Sequence, residues 1–339
     1  MAVTSIRDVA RLAGVSVGTV SNVLNKPDEV STESMARVQK AIEQLGYIRN
    51  DAARQLRAGV SSTVGFVVLD GQNPFFNQVV RGAEDEASKS GITILVGNTD
   101  EDSHREGLYL DLFEQQRVRG VLIAPYGDIT ARLQRLKARD IPAVLVDRHN
   151  VDGLFSSVAV DSVAGGQMAA QHLIDTGRRR LAYVGGPFDI RQVRDRLEGA
   201  RVAVDNSDHH VEIEVITTGA LTVEEGVLAG RRVLERPRHL RPDALFAAND
   251  LLALGLLQSL VVDGNLLVPN EISLIGFDDI TFAAAAAVPL SSIRQPSRTI
   301  GQTALKVLLE EADDPSQIAR QTAFRPELVI RQSTQPRRI

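Results

Sequence analysis

Residues 5–25 read "SIRDVARLAGVSVGTVSNVLN", and how this stretch folds decides what kind of protein the chain is. Its middle, Gly14 to Gly18, matches G-x-S-x-G, the pattern of a hydrolase nucleophile elbow. An elbow requires a strand before the serine and a helix after it. Upstream, however, Ile6, Val9, Ala10 and Ala13 form an apolar stripe at helical spacing. Ser5 is placed to cap that helix, with Asp8 as its capping-box partner. Gly14 stands where a helix end wants a left-handed residue, and Ser16 can cap a second helix. The stretch therefore reads as helix, tight turn, helix. In the second helix Val20, Val23 and Leu24 face inward, and Val17, Gly18, Ser21, Asn22 and Asn25 share the opposite face.

A third helix follows in "VSTESMARVQKAIEQLGY", residues 30–47. It is capped by Ser31, carries Met35, Val38, Ile42 and Leu45 on one face, and ends at Gly46, with Tyr47 packing back. Three short helices with a tight turn between the first two describe a helix-turn-helix domain, whose second helix enters the DNA major groove. Charge agrees. Residues 1–60 hold 8 Lys+Arg against 6 Asp+Glu, whereas the remainder holds 30 against 37. A basic head on an acidic body fits a nucleic-acid module joined to a separate core. "NDAARQLRAG", residues 50–59, can form one or two helical turns, too few to be stable alone in water.

The whole chain has 339 residues, 43% hydrophobic and 24% charged, as expected of a globular protein of two or three domains. No cysteine is present, which excludes disulfides, thiolate catalysis and cysteine metal sites. The six histidines are scattered, and no metal or cofactor site is read. Neither a membrane span nor a signal peptide is read, so a cytoplasmic location is expected. From Val64 onward, apolar runs alternate with amphipathic segments: "VGFVVL", "ITILVG", "GVLIAP", "PAVLVD", "LAYVGG", "ALFAAN" and "ISLIGFD". The helical segments between them include "AGGQMAAQHLIDTG" and "IGQTALKVLLEEA". This alternation implies parallel sheets flanked by helices. Asp70, Asn98, Asp147, Asn249 and Asp278 follow such runs. Ligands of open parallel sheets bind beyond the carboxyl ends of the strands, so these residues converge if two sheets face one another. Asp278 and Asn249 could equally cap the helices after them, and Arg196 could be a surface arginine of "RQVRDRLEGAR". No phosphate-loop or dinucleotide fingerprint is found.

The head, "IRDVARLAGVSVGTVSNVLN" with "VSTESMARVQKAIEQLGYIRNDAARQLR", resembles that of the lactose-repressor (LacI/GalR) family of bacterial transcription regulators. "NPFFNQVVRGAEDEA", "NTDED", "AANDLLALG", "ISLIGFDDI" and "SSIRQPSRTIGQTA" extend the resemblance over nearly the whole chain. It implies an all-α helix-turn-helix head on an α/β core similar to periplasmic sugar-binding proteins, with two parallel-sheet subdomains and an effector between them. The implied division is a head at 1–48, a hinge helix and linker at 49–62, and a core at 63–339. Within that core one subdomain spans about 63–161 and 292–322, the other 162–291 and 323–339. On the DNA side, Val17, Gly18 and Asn22 fall on base-reading positions. Ser16, Thr19, Ser21 and Asn25 fall on positions that support phosphate contacts. In the hinge, Asn50 caps the helix, Ala53 allows close pairing, and Leu56 wedges into the minor groove. On the effector side, Phe75, Phe76, Asp147, Arg196, Asn249 and Asp278 match contact positions, and Gln295 lies near a crossover. The expected partners are a pseudo-palindromic double-stranded operator, a small-molecule effector and a second copy of the chain. The resemblance implies a regulator, a repressor before an activator, and no enzyme; a solute-binding protein without a DNA role is the alternative the core alone would allow. No leucine heptads follow "ELVIRQSTQPRRI", so a dimer rather than a tetramer is expected.

The chain also departs from the family pattern. Gly18 has no side chain to read a base, and Asn22 stands where Arg or His is frequent; Asn pairs with adenine, Arg with guanine. Leu221 replaces an aromatic, Ile190 stands where purine-binding relatives carry arginine, and alanines fill "FAAAAAVPL". These changes argue against a purine and leave a sugar, a sugar phosphate or a less polar effector open.

Overall fold

The structure, a computed structural model, describes residues 4–47, 61–149 and 153–335, and of Asn25 only the backbone. The chain divides into two units, Met1–Val60 and Ser61–Ile339.

The first unit holds α1 (Ile6–Ala13), α2 (Val17–Asn25) and α3 (Thr32–Leu45). The Ser5 amide and hydroxyl donate to the Asp8 carboxylate at 3.0 and 2.6 Å, which fixes the start of α1. Gly14 has φ 63°, the left-handed conformation that lets the chain reverse into α2 within two residues. Ser16 Oγ accepts the Thr19 amide at 3.0 Å, so Ser16 is a helix cap. A small core forms from Val9, Ala10, Ala13, Val20, Val23, Val38 and Ala41, with Met35, Ile42, Leu45 and Tyr47 at its rim.

The second unit is built on two six-stranded sheets. The first contains β1 (Thr63–Val68), β2 (Thr93–Asn98), β3 (Val121–Ile123), β4 (Ala143–Val146), β5 (Ser156–Val160) and β11 (Gln321–Phe324). Its order is β11-β5-β4-β3-β1-β2, all parallel. The second contains β6 (Arg180–Gly185), β7 (Glu212–Thr217), β8 (Ala244–Ala247), β9 (Ser273–Asp278), β10 (Ser291–Arg294) and β12 (Glu327–Val329), in the order β12-β10-β9-β8-β6-β7. Helices α4 (Pro74–Ser88), α5 (Ser103–Gln115), α6 (Thr130–Lys137) and α12 (Ser297–Asp313) cover the first sheet. The second carries α7 (Ser162–Asp175), α8 (Arg191–Asp205), α9 (Val223–Leu234), α10 (Asp250–Leu257) and the short α11 (Thr281–Ala285). Along β1, Val64, Phe66 and Val68 pack to one face and Val67 to the other. Both faces are covered, which is why the strand reads as an unbroken apolar run.

Each of the seven apolar runs holds a strand. β5, β7, β10, β11 and β12 lie outside them. β7 and β11 are edge strands whose exposed and covered residues alternate, so their sequences mix charge with apolar side chains. β5 and β10 open on paired serines whose hydroxyls are spent on buried hydrogen bonds. One expectation is corrected: the second sheet is not wholly parallel, because β12 runs antiparallel to β10. β12 arrives from β11 of the other sheet through two residues. That direct crossing sets its direction, where a helical crossover would have made it parallel.

The chain passes between the sheets three times, after β5, after β10 and after β11. The first passage leads into α7, which packs against α8 at backbone distance. A Cβ on Gly166 would lie 2.0 Å from the Arg196 carbonyl oxygen, and one on Gly199 would lie 1.9 Å from that of Val163. The contact fixes α8, the helix that carries Arg196. Gly199→Ala must push two backbones apart, and overpacking of this kind costs about 1–3 kcal/mol. Urea unfolding of the core is expected to show that loss; an unchanged midpoint would mean that α7 and α8 part without cost.

Candidate binding sites

Five carboxyl-end residues were expected to meet a cleft, and the structure sorts them by what each already bonds. Asp147 follows β4 with φ 58°, and Asp278 ends β9 with φ 110°. Both bend away from the strand direction into one cleft, shared with Phe75, Phe76, Ile190, Gln192, Arg196, Leu221 and Asn249. Asp278 accepts Asn73 Nδ2 at 3.2 Å and Gln295 Nε2 at 2.8 Å. Arg196 Nη2 stands 3.7 Å from the same carboxylate, while Nη1 donates to the Ala248 carbonyl at 2.7 Å. The guanidinium lies over the Phe277 ring, 3.8 Å from its centroid, a cation–π contact that fixes its plane. Gln192 Nε2 donates to the Asp147 carbonyl at 2.5 Å and to its carboxylate at 3.1 Å. Asn73 precedes α4 and Gln192 lies on α8, so each amide reaches across from one sheet's elements to a carboxylate of the other's.

Four buried atoms here have no hydrogen-bond partner in the protein: Asp147 Oδ1, Gln192 Oε1, Gln295 Oε1 and Arg196 Nε. Leaving a buried polar group unpaired costs about 1–3 kcal/mol. Asp147, Gln192 and Arg196, which carry three of these atoms, line the cleft, and Gln295 does not. Burial pushes the Asp147 carboxyl up to about 7, against the pull of Arg196 and Gln192 and with a further push from Asp278. Burial also raises Asp278, opposed by Arg196, Asn73 and Gln295. Beneath them Asp250, fully buried, is raised well above the usual carboxylate range by burial and by the charge of Asp278.

Arg196 is 3% exposed, which removes the surface reading of "RQVRDRLEGAR". Phe75 and Phe76 meet edge to face, 5.1 Å between centroids, and belong at once to the core and to the cavity wall. Asn249 caps α10: its Oδ1 accepts the Leu252 amide at 2.9 Å and its Nδ2 donates to the Leu221 carbonyl at 3.0 Å. Asp278 caps nothing, since the residue before α11 is Ile280. Asp70 and Asn98 do not line the cavity. Asp70 accepts the Gln72 amide at 2.7 Å and Asn98 the Gly71 amide at 2.9 Å, so both shape the loops after their strands. Asn73 and Gln192 were missed. A neutral amide beside a proline or inside a charged helix leaves no periodic or charge signal in the sequence.

On α2, Val17, Gly18 and Asn22 are exposed, while Thr19 and Ser21 are half-buried. Thr19 Oγ1 lies 2.9 Å from Ser16 Oγ, which ties the first turn of the helix together. A Cβ on Gly18 would meet only Ser16 Oγ, at 3.5 Å, so the bare backbone there is not forced by packing. The Asn25 side chain, and Asn50, Ala53 and Leu56, lie outside the described residues. Among the described residues no His, Asp and Glu cluster could hold a metal ion, and no helix is long and apolar enough to cross a membrane.

Residues 5–50 match the model of the lacI family of bacterial regulatory proteins, and residues 170–334 match a periplasmic binding protein-like domain. The ribose operon repressor of Escherichia coli (strain K12) is 35% identical over 335 residues, which covers 97% of this chain and 99% of that repressor. The chain belongs to the lacI family of bacterial regulatory proteins. It is a DNA-binding transcriptional regulator with a helix-turn-helix head and a periplasmic-binding-like core. A lac repressor dimer bound to operator and the anti-inducer ONPF is 25% identical, with a TM-score of 0.83 over 98% of this chain and 99% of that one. A LacI family regulator from Enterococcus faecium with bound ribose is 28% identical, with a TM-score of 0.72 over 81% of this chain and 100% of that one.

Among Val17, Gly18 and Asn22, the positions that the resemblance assigns to base reading, only Asn22 carries a polar side chain. Asn22→Ala is expected to relax preference at one symmetric operator position, by roughly 1–3 kcal/mol, and to leave the others intact. Selection from a randomised operator library reads this directly, and a uniform loss over all sequences would assign Asn22 to the DNA backbone.

Proposed function

We propose that this regulator is a repressor whose operator affinity is set by a neutral monosaccharide of pentose size bound between its two sheets. The observation that carries the reading is the cleft itself: two buried carboxylates, Asp147 and Asp278, face one guanidinium, with two phenylalanine rings as the apolar wall. Sugar hydroxyls donate to carboxylates and accept from arginine, and the C–H face of a sugar ring packs on aromatic rings. A phosphate group would meet more negative than positive charge, with the one arginine already engaged by Ala248 and Asp278. Ile190 gives a purine nothing to bond. Ribose bound in one structural neighbour, and the ribose operon controlled by one relative, support the same class.

In this reading the head at 1–48 holds the operator through Ser16, Val17, Gly18, Thr19, Ser21, Asn22 and Asn25. The hinge at 49–62 adds Asn50, Ala53 and Leu56. The core at 63–339 binds the effector through Phe75, Phe76, Asp147, Arg196, Asn249 and Asp278, and pairs two chains into a dimer. The regulator works in the cytoplasm and catalyses nothing. Sugar binding acts by differential affinity for two arrangements of the subdomains, and so changes the fraction of dimer able to hold DNA.

Calorimetry of the full-length protein with D-ribose, ribose 5-phosphate and hypoxanthine tests the class. Saturable binding of D-ribose, abolished in Asp278→Ala, is expected; binding of hypoxanthine or ribose 5-phosphate alone would overturn it.

The same titration carries a pH dependence. Asp147, with its carboxyl raised to about 7 in the cleft, is largely protonated at pH 6 and ionised at pH 8. Only the ionised form accepts two hydroxyl protons, so binding expels a proton and affinity rises by about tenfold between those values. Asp147→Asn should bind more weakly and with no slope across that range. A slope that survives in Asp147→Asn would assign the proton to another group.

A further inference from the structure

Behind the cleft the chain turns from β9 to α11 through two residues in the left-handed region, Asp278 at φ 110° and Asp279 at φ 55°. This is costly backbone for residues with a Cβ, and it persists only where the surroundings hold it. Four side chains do so. Ser292 Oγ, on β10, accepts the Asp279 amide at 3.0 Å and donates to Asp250 Oδ1 at 2.7 Å. Asp250 Oδ2 accepts the Ile280 amide at 2.8 Å. The Asp279 carboxylate, 5% exposed as a side chain, is gripped from two elements. Arg294 Nε of β10 donates to its Oδ2 at 2.8 Å, and Arg331 Nη1, just past β12, forms an ion pair with Oδ1 at 2.6 Å, an oxygen that accepts no hydrogen bond. Arg331 is itself fixed by the Leu290 carbonyl at 2.7 Å. Gly276 of β9 leaves the space that Asp250 fills, since a Cβ there would lie 2.1 Å from Asp250 Oδ1.

We infer that Arg331 is a positioning residue for effector binding: through Asp279 it holds the 278–280 turn in the conformation that aims the Asp278 carboxylate into the cleft. This rests on the reading of Asp278 as an effector contact. Arg331 is not among the residues lining the cleft, and it sits on the segment that has just crossed back from β11 of the first sheet. Its loss leaves a buried carboxylate with one partner fewer, a strong perturbation at that point. Arg331 belongs to the unit Ser61–Ile339, and operator binding without effector is expected not to depend on it.

The test compares full-length wild type, Arg331→Met and Arg331→Lys in three measurements: D-ribose calorimetry, operator affinity without effector, and hydrogen exchange of residues 278–280 in the effector-free protein. Arg331→Met is expected to weaken ribose binding by about tenfold or more, with operator affinity kept within about twofold of wild type. Arg331→Lys, which keeps the charge, is expected to recover most of the loss. Exchange at Asp279 and Ile280 should quicken in Arg331→Met and return toward wild type in Arg331→Lys. Wild-type ribose affinity in a folded Arg331→Met protein overturns the inference. If wild type itself binds no ribose, the proposed effector class fails separately, and the exchange data still decide: unchanged protection of 278–280 in Arg331→Met overturns the positioning role. Should Arg331→Met not fold, Asp279→Asn takes its place with the same expected outcomes.

Discussion

The cleft depends on one buried ion pair, Arg196 with Asp278, 3.7 Å apart and each almost wholly removed from water. Such a pair is expensive to bury and is tolerated only when its remaining hydrogen-bonding capacity is met. Here that condition organises much of the core. Arg196 needs the Ala248 carbonyl, the Phe277 ring and a helix brought to backbone contact with α7. Asp278 needs Asn73 from the far side of the cleft, Gln295 at the second crossover and a strained turn behind it. Removing either charge would leave the other uncompensated.

The ion pair lies within the elements of the second sheet, and other bonds join the two sheets across the cleft. Asn73 to Asp278 and Gln192 to Asp147 are the amide-to-carboxylate bonds that span it. Both join a group that can be rebonded by a ligand hydroxyl to one that can be released. A sugar that takes over these acceptors changes what holds the two sheets together without any new fold. That is the physical content of effector control in a hinged binding domain: the ligand replaces internal hydrogen bonds, and the balance between arrangements shifts by the difference.

Specificity on the DNA side follows a different economy. The head has a core of seven buried side chains, four of them valine and three alanine, and its three helices are set by caps at Ser5, Ser16 and Ser31 and by glycine ends at Gly14 and Gly46. Little of its sequence is left uncommitted, so the exposed face of α2 is where recognition can vary. Of the positions that the resemblance assigns to base reading, Val17 is apolar and Gly18 bare, which leaves Asn22 as the polar one.

The sequence by itself determined the helix-turn-helix head, the alternation of strands and helices, and most of the cleft. These are written locally: caps and left-handed glycines at fixed spacing, apolar runs of strands buried on both faces, and charged residues at strand ends. Strand-end position pointed to Asp147 and Asp278, whereas Arg196, Phe75 and Phe76 were placed only by the family resemblance. What only the tertiary structure decided lies between segments far apart in sequence. It separated Asp278, which caps no helix, from Asn249, which lines the same cleft while its side chain caps α10, although both follow a strand and precede a helix. It moved Asp70 and Asn98 into loop turns, reversed β12, and brought Asn73 and Gln192 to carboxylates 205 and 45 residues away. It also set Arg331 against Asp279. The physical reason is the same throughout. A side chain's partners in a buried polar site are chosen by which strand ends meet across the cleft, and local sequence carries no record of that meeting.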